Sequence, residues 1–301
     1  MTASQYGFAD LGEVITDRVS GAALLLVPVL LFELAVFVVP FFILLRISLT
    51  AQAVGQTNVP GTWTLESYLE ILGSSTLHHF VAVSFEIGVI ATVTTVVLGF
   101  AYAYIAWRAT GWRKSLMLFS VVVTLLTTLV VKTFVWVPVL SPNGVISNGL
   151  QALHLVDDPL HLYPGFTAAI IGQTYVILPY TTLAIYSVLT TIDWSVVEAA
   201  RDLGASRPRS IYEVVLPSAV PGLAVATVIA FAWNVGSYAA PFLLGSSRTR
   251  TMAMEVQSLM LNDFNWSMGS ALAIVMMALV LLSVVVLFAA LSRWEGGVEF
   301  L

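Results

Sequence analysis

The chain has 301 residues, 58% of them apolar and only 10% charged, with a mean hydropathy of +0.93 and a net charge of −5. A soluble domain carries about a quarter charged residues, so this composition leaves too little polar surface to face water on all sides and implies an integral membrane protein. The absence of cysteine excludes a disulfide scaffold, and no basic run points to nucleic acid.

In chain order, a polar segment over 1–20 precedes the first apolar stretch. It carries Arg18 against Asp10, Glu13 and Asp17, and no small-residue cleavage pattern follows, which argues against a removed signal. Six apolar stretches then follow: Gly21–Leu45, Phe80–Trp107, Ser115–Leu140, Phe166–Thr190, Gly222–Leu244 and Met268–Leu291. Each approaches the roughly 20 apolar residues that a spanning helix needs. None alternates with period two, which disfavours a membrane β-barrel. The spacing predicts an all-α bundle over 21–291 followed by a short tail, 292–301.

The segments on one side of these spans hold Arg18, Arg108, Arg113, Lys114, Arg201, Arg207, Arg209 and Arg293; those on the other hold Arg46, Arg248 and Arg250. Basic residues accumulate on the cytoplasmic side, which predicts both termini inside. Trp107, Trp112, Trp136, Tyr163 and Trp294 suit interfacial anchoring. On the outer side, Thr64–Leu72 and Met252–Leu261 read as short amphipathic helices, and Ser141-Pro-Asn-Gly144 as a turn. These segments either cap the bundle or meet a soluble partner.

The segment 191–221 is the most polar part of the chain. Asp193 is placed to cap a helix whose interior begins near Val196, Gly204 to end it, and Pro208 to open a second short helix. Pro217 and Pro221 then mark re-entry into the next span. Within this segment stand Glu198-Ala199-Ala200, three residues, Gly204, nine residues, Val214, one residue, and Leu216-Pro217. This pattern resembles the cytoplasmic loop signature of type I permeases of ATP-binding-cassette importers, with Val214 where that family usually has Ile. Lys132-Thr-Phe-Val-Trp136 resembles the Arg-Thr-Tyr-Ala-Trp stretch of the spermidine/putrescine permease branch. Gly144-Val-Ile-Ser-Asn-Gly149, Leu178-Pro179-Tyr180 and Pro241-Phe-Leu-Leu-Gly245 fit that branch too.

The resemblance implies a permease subunit in a bacterial cytoplasmic membrane. Glu198, Ala199, Ala200, Arg201, Asp202, Gly204 and Ser206 would meet an ATPase dimer that binds the ATP and magnesium. A second, different permease and an extracytoplasmic solute-binding protein would complete the assembly, with a polyamine or other organic cation as first substrate. The chain itself has no phosphate-binding loop: Gly111-Trp-Arg-Lys114-Ser115 lacks the required glycine spacing. No cofactor or metal is expected on it, since His78, His79, His154 and His161 lie in loops without ligand spacing.

Three ionisable residues fall inside spans: Glu33, Glu86 and Lys132. At about 1.5 Å per helical residue they lie roughly 18, 9 and 12 Å deep, so Glu86 and Lys132 are matched for an intramembrane ion pair. Alternatively Glu33 or Glu86 faces the solute. Trp233, Asn234, Tyr238 and Tyr175 stand beside Gly and Pro positions and are candidates for lining the route, or for bonding helices together. Two rival readings are an ion-coupled secondary transporter, with Glu33 or Glu86 as its site, and a membrane-embedded enzyme. The first needs an internal repeat and the second a catalytic cluster, and neither is evident.

Overall fold

A computed structural model describes residues 26–52 and 59–294. The expected segment 1–20, residues 21–25 of the first span and 295–301 of the tail lie outside them. Helices follow in the order α1 (Leu26–Ser48), α2 (Glu66–Gly73), α3 (Ser75–Arg108), α4 (Gly111–Leu126), α5 (Leu129–Phe134), α6 (Trp136–Leu140), α7 (Val145–Ala152), α8 (Phe166–Leu189), α9 (Trp194–Asp202), α10 (Arg207–Val235), α11 (Ala239–Leu244), α12 (Met252–Leu261) and α13 (Trp266–Trp294). No strand occurs among the described residues.

The centre is a trio, α3, α8 and α10, each packed against the other two. Burial of apolar surface drives little association between helices that already sit in lipid, so close approach and dispersion must hold them. Small residues make that approach possible. A Cβ at Gly88 of α3 would stand 2.5 Å from Val235 Cγ2, and one at Gly222 of α10 would stand 3.0 Å from Val188. Ala91, Ala103, Ala106, Ala168, Ala169, Ala219, Ala226 and Ala230 of these three helices are fully buried, and Ala103, Ala219 and Ala226 share one cluster. The other spans wrap this trio unevenly: α13 packs on α1 and α10, whereas residues 26–40 of α1 are exposed throughout.

Six stretches are long and apolar enough to cross a membrane: Leu26–Ser48, Ser75–Arg108, Leu129–Ala152, Phe166–Leu189, Arg207–Val235 and Trp266–Ala290. The third departs from the expected Ser115–Leu140. Leu129–Ala152 is interrupted by the turn at Ser141-Pro-Asn-Gly144, so the crossing is better described as α4, α5 and α6 in series. Thr127 (φ −70°, ψ 139°) and Thr128 (φ −67°, ψ 149°) break the helix between α4 and α5. The fifth span also starts earlier than expected. The helix that opens at Arg207 runs unbroken to Val235, so the anticipated second short helix is the first part of this span. It ends at Gly236, and α11 resumes at Ala239.

Pro217 passes through this long helix by a local change of winding. Proline has no N–H, and its ring collides with the carbonyl four residues earlier. Residues Ile211–Val215 adopt a π turn in which the Leu216 N–H donates to Ile211 O, widening the helix just ahead of the ring. The same device precedes Pro40, where Leu34–Val38 is a π turn and Val39 N–H donates to Leu34 O.

The two expected amphipathic helices appear as α2 and α12, at the end of the bundle opposite α9. They bury Ile71, Leu77, Met252, Met268 and Leu272 together. Polar side chains tie α1 to α13 there: Thr50 Oγ1 and Ser267 Oγ are 2.8 Å apart, and Asn265 Nδ2 donates to Gln52 Oε1 at 2.9 Å.

Gly88→Val forces overpacking against the Val235 backbone and is expected to cost about 1–3 kcal/mol, seen as a lower melting temperature in detergent. Gly149→Ala, where a Cβ meets nothing within 4 Å, should leave it unchanged or raise it. Equal melting of Gly88→Val and the parent would show that this seam is looser than described.

Candidate functional site

The loop between α8 and α10 is shaped by its two caps. Asp193, in extended conformation, accepts the Ser195 N–H at 2.9 Å and so starts α9. That backbone hydrogen bond, with a further one from the Ser195 side chain, holds the Asp193 carboxyl below the usual carboxylate range. At the other end Gly204 N–H donates to Arg201 O at 3.0 Å and Ala205 N–H to Ala200 O at 3.1 Å. This is a Schellman closure, and it requires the left-handed residue that Gly204 supplies at φ +95°. The glycine of the sequence pattern is therefore a backbone requirement.

One side of α9 is anchored. Val197 is buried with Ala103, Ile185, Leu189, Val215 and Ala219, at the base of the central trio. The other side is open. Glu198, Ala199, Arg201, Asp202 and Ser206 are exposed, while Ala200 is half-buried. Glu198, Arg201, Asp202, Ala205, Ser206 and Arg207 line an open polar crevice of about 540 Å³. Among the described residues the ion pairs are Arg209–Glu213 at 2.9 Å and Arg250–Glu255 at 2.6 Å, so Glu198, Arg201 and Asp202 keep their charges for an outside contact. The helix also ends on Leu203, 90% exposed, with Tyr212 exposed nearby in the chain. Neither was singled out from sequence, because an apolar residue beside spans carries no signal until its exposure is known. Small residues over a fixed helix, charged groups without partners and a protruding leucine suit this face to docking.

The residues expected within the membrane separate into two groups. Asn234 is only 1% exposed; its Nδ2 donates to Thr92 Oγ1 at 3.3 Å across the α3–α10 seam, and its Oδ1 has no partner. In this arrangement it bonds two helices together, the second of the two roles the sequence left open for it. Trp233, its neighbour, points to the uncovered side and stacks on Tyr180 with centroids 6.4 Å apart. Tyr238, in the break after α10, stacks on Phe242 at 4.9 Å. Tyr175 meets Trp136 edge-on at 5.5 Å and lines a cavity of about 200 Å³ with Tyr102, Ser120, Thr124 and Thr182.

Glu86 and Lys132 do not form the expected ion pair. Glu86 is exposed on α3, whereas Lys132 is 4% exposed, with its ammonium 5.8 Å from the Tyr180 ring centroid. Only a straight third span would set Lys132 at the depth of Glu86 and facing it. The break at Thr127-Thr128 instead turns α5 against α8 and α11 and carries Lys132 inward. Glu33 is exposed on α1. The structure thus brings Lys132, Tyr180 and Trp233 together and leaves both carboxylates on uncovered faces. Among the described residues no group of three or more His, Asp or Glu side chains could hold a metal ion.

Comparison with known proteins fits this arrangement. The family described as binding-protein-dependent transport system inner membrane component matches residues 95–294. The spermidine/putrescine transport system permease protein PotB of Escherichia coli (strain K12) is 27% identical over 226 residues, covering 73% of this chain and 81% of the relative. The inner membrane permease YdcU of the same organism is 30% identical over 172 residues, 52% of this chain and 54% of the relative. In structure, a subunit of a bacterial importer of the acidic polysaccharide alginate superposes with a TM-score of 0.74 at 18% identity, covering 94% of this chain and 99% of that one. A chain of the methionine transporter MetNI gives 0.52 at 16% identity, over 72% of this chain and 93% of that one.

Because a Cβ at Gly204 meets no neighbour within 4 Å, Gly204→Ala isolates the backbone cost, about 1–2 kcal/mol for leaving a left-handed position to an L side chain. The amides of residues 204 and 205 are expected to exchange about 5–30-fold faster in hydrogen-exchange mass spectrometry. Unchanged protection there would show that the closure does not depend on glycine.

Proposed function

The chain belongs to the family of binding-protein-dependent transport system inner membrane components, and from that premise we propose how its parts divide the work of import. It is a multi-pass permease of the bacterial inner membrane. In our reading the α9 end faces the cytoplasm and α9 docks on an ATPase dimer, whose ATP and magnesium are held by the partner chains. The single observation that carries this is the open face of α9: its backbone is fixed by caps at both ends, and Glu198, Arg201 and Asp202 stand unpaired around it. The excess of basic residues on that side supports the orientation.

The uncovered face of α1, apolar and exposed over residues 26–40, supports pairing with a second permease, and one of a different kind is our first choice. The opposite end, with α2, α7 and α12, would receive the solute-binding protein. Transport would proceed by alternating access: ATP closes the ATPase pair, α9 is displaced, and the trio it anchors reopens towards the binding protein. The chain then acts as a transport subunit and not as an enzyme.

A polyamine is the first substrate, supported by the PotB relatives and by the exposed carboxylates of Glu33 and Glu86, which would attract a cation. Lys132 beside the Tyr180–Trp233 stack favours a second reading within the same class, a solute that carries an anionic group.

In the assembled importer, Glu198→Ala and Gly204→Asp should each uncouple or release the ATPase without preventing membrane insertion. Full uptake and full stimulated ATP hydrolysis in both variants would overturn the docking role. In nanodiscs with binding protein, spermidine or putrescine should stimulate ATP hydrolysis; separately, in sealed proteoliposomes, Glu33→Gln should weaken uptake. Stimulation by a carboxylate-bearing solute alone would select the second reading.

A further inference from the structure

The helix α9 is joined through the chain to α8 and α10 only; α3, which ends beside it, is remote in sequence. A helix of nine residues has little stability of its own, so its orientation depends on what grips it. Beyond Val197 and the two caps, the grip falls on Trp194, the first residue of α9. Trp107 meets the Trp194 ring edge-on, with centroids 5.3 Å apart and planes at 72°. The Arg108 guanidinium lies over the same ring, its Cζ 3.4 Å from the centroid. Edge-to-face rings and a cation over an indole face are both favoured geometries. They hold the ring from two sides using consecutive residues at the end of α3.

The contact continues up α3. Trp107 meets Tyr104 at 6.2 Å, and Tyr104 stacks on Phe100 at 6.4 Å. These three lie at helical spacing on one stripe about 10 Å long. All three pack against the buried cluster of Ala103, Ile185 and Val215. Interfacial anchoring alone accounts for aromatic residues at this level, but it does not require that one of them clasp the first residue of α9.

We infer that Trp194, Trp107 and Arg108 form a clamp that couples α9 to α3, so that a displacement of α9 moves α3 directly and together with α8 and α10. These are positioning residues, acting through α9, and the inference rests on the proposed docking of the ATPase there. Without the clamp the ATPase stays bound to α9 while the far end of α3 no longer follows it.

The chain has no cysteine, so one reporter can be introduced at the far end of α3. His79→Cys is exposed there. In the assembled importer in nanodiscs, with binding protein present, trapping with ATP and vanadate is expected to change the labelling rate of His79→Cys by a polar maleimide at least about fivefold. Trp194→Ala should abolish that change with the ATPase still bound, Trp194→Phe should retain it, and Arg108→Gln should reduce it. An undiminished change in Trp194→Ala overturns the clamp, as does the absence of any change in the parent with its ATPase bound. If Trp194→Ala loses the ATPase, Trp107→Leu, which lies outside α9, decides: a retained change overturns the clamp and a lost one supports it. Failure of the docking reading looks different, since no ATPase would then co-purify even with the parent.

Discussion

Close approach of α3, α8 and α10 is the constraint on which the remainder of the molecule depends. Lipid already solvates apolar side chains, so a seam of large residues gains little over the separated helices, whereas Gly and Ala let backbones come near enough for dispersion to accumulate. Gly88 under Val235 and Gly222 under Val188 set the spacing at two levels of the trio. One polar pair bridges the seam, Asn234 Nδ2 to Thr92 Oγ1. The same spacing brings Ala103, Ile185, Val215 and Ala219 together at the α9 end. The loop between α8 and α10 therefore emerges from two helices already fixed in relation to one another.

That placement holds so short a helix in one orientation. Its ends are closed by Asp193 and Gly204, its buried face by Val197, and its approach to α10 by continuity of the chain through Ser206 and Arg207. The helix α10 begins at the loop itself, so only the turn 203–206 separates α9 from the fifth span. The π turn at Ile211–Val215 lets that helix pass Pro217 without ending. Proline in this position bends the rules of winding and leaves the rod intact.

Much of this was legible in the sequence because it rests on local rules. Length and hydropathy located four of the six spans closely; Asp193, Gly204 and Pro208 announced the loop; and the Glu198 to Pro217 spacing pointed to the family. What sequence did not disclose depends on direction. Thr127-Thr128 reads as two acceptable helix residues of lowered propensity, yet the break there turns Lys132 from a presumed partner of Glu86 into a buried neighbour of Tyr180. Pro217 reads as a helix start, because nothing in composition reveals a π turn. Leu203 reads as one more leucine, and only the left-handed turn after it makes it protrude.

The distribution of charge follows from the same architecture. Inside a bilayer an ionisable group is expensive to place and settles where water, another charge or another protein reaches it. Here the trio accepts neutral polar groups in its seams and leaves Glu33 and Glu86 on faces that the chain does not cover. A six-span chain with residues 26–40 of its first span exposed throughout and two carboxylates facing outward is not a closed container. Its uncovered faces call for a second wall, and a route formed between two such walls would put the carboxylates of α1 and α3 within reach of both partner and solute. Lys132 sits apart from them, buried beside the Tyr180 ring of α8. Charges of opposite sign are thereby held on different helices, the carboxylates on uncovered faces and the ammonium inside the bundle.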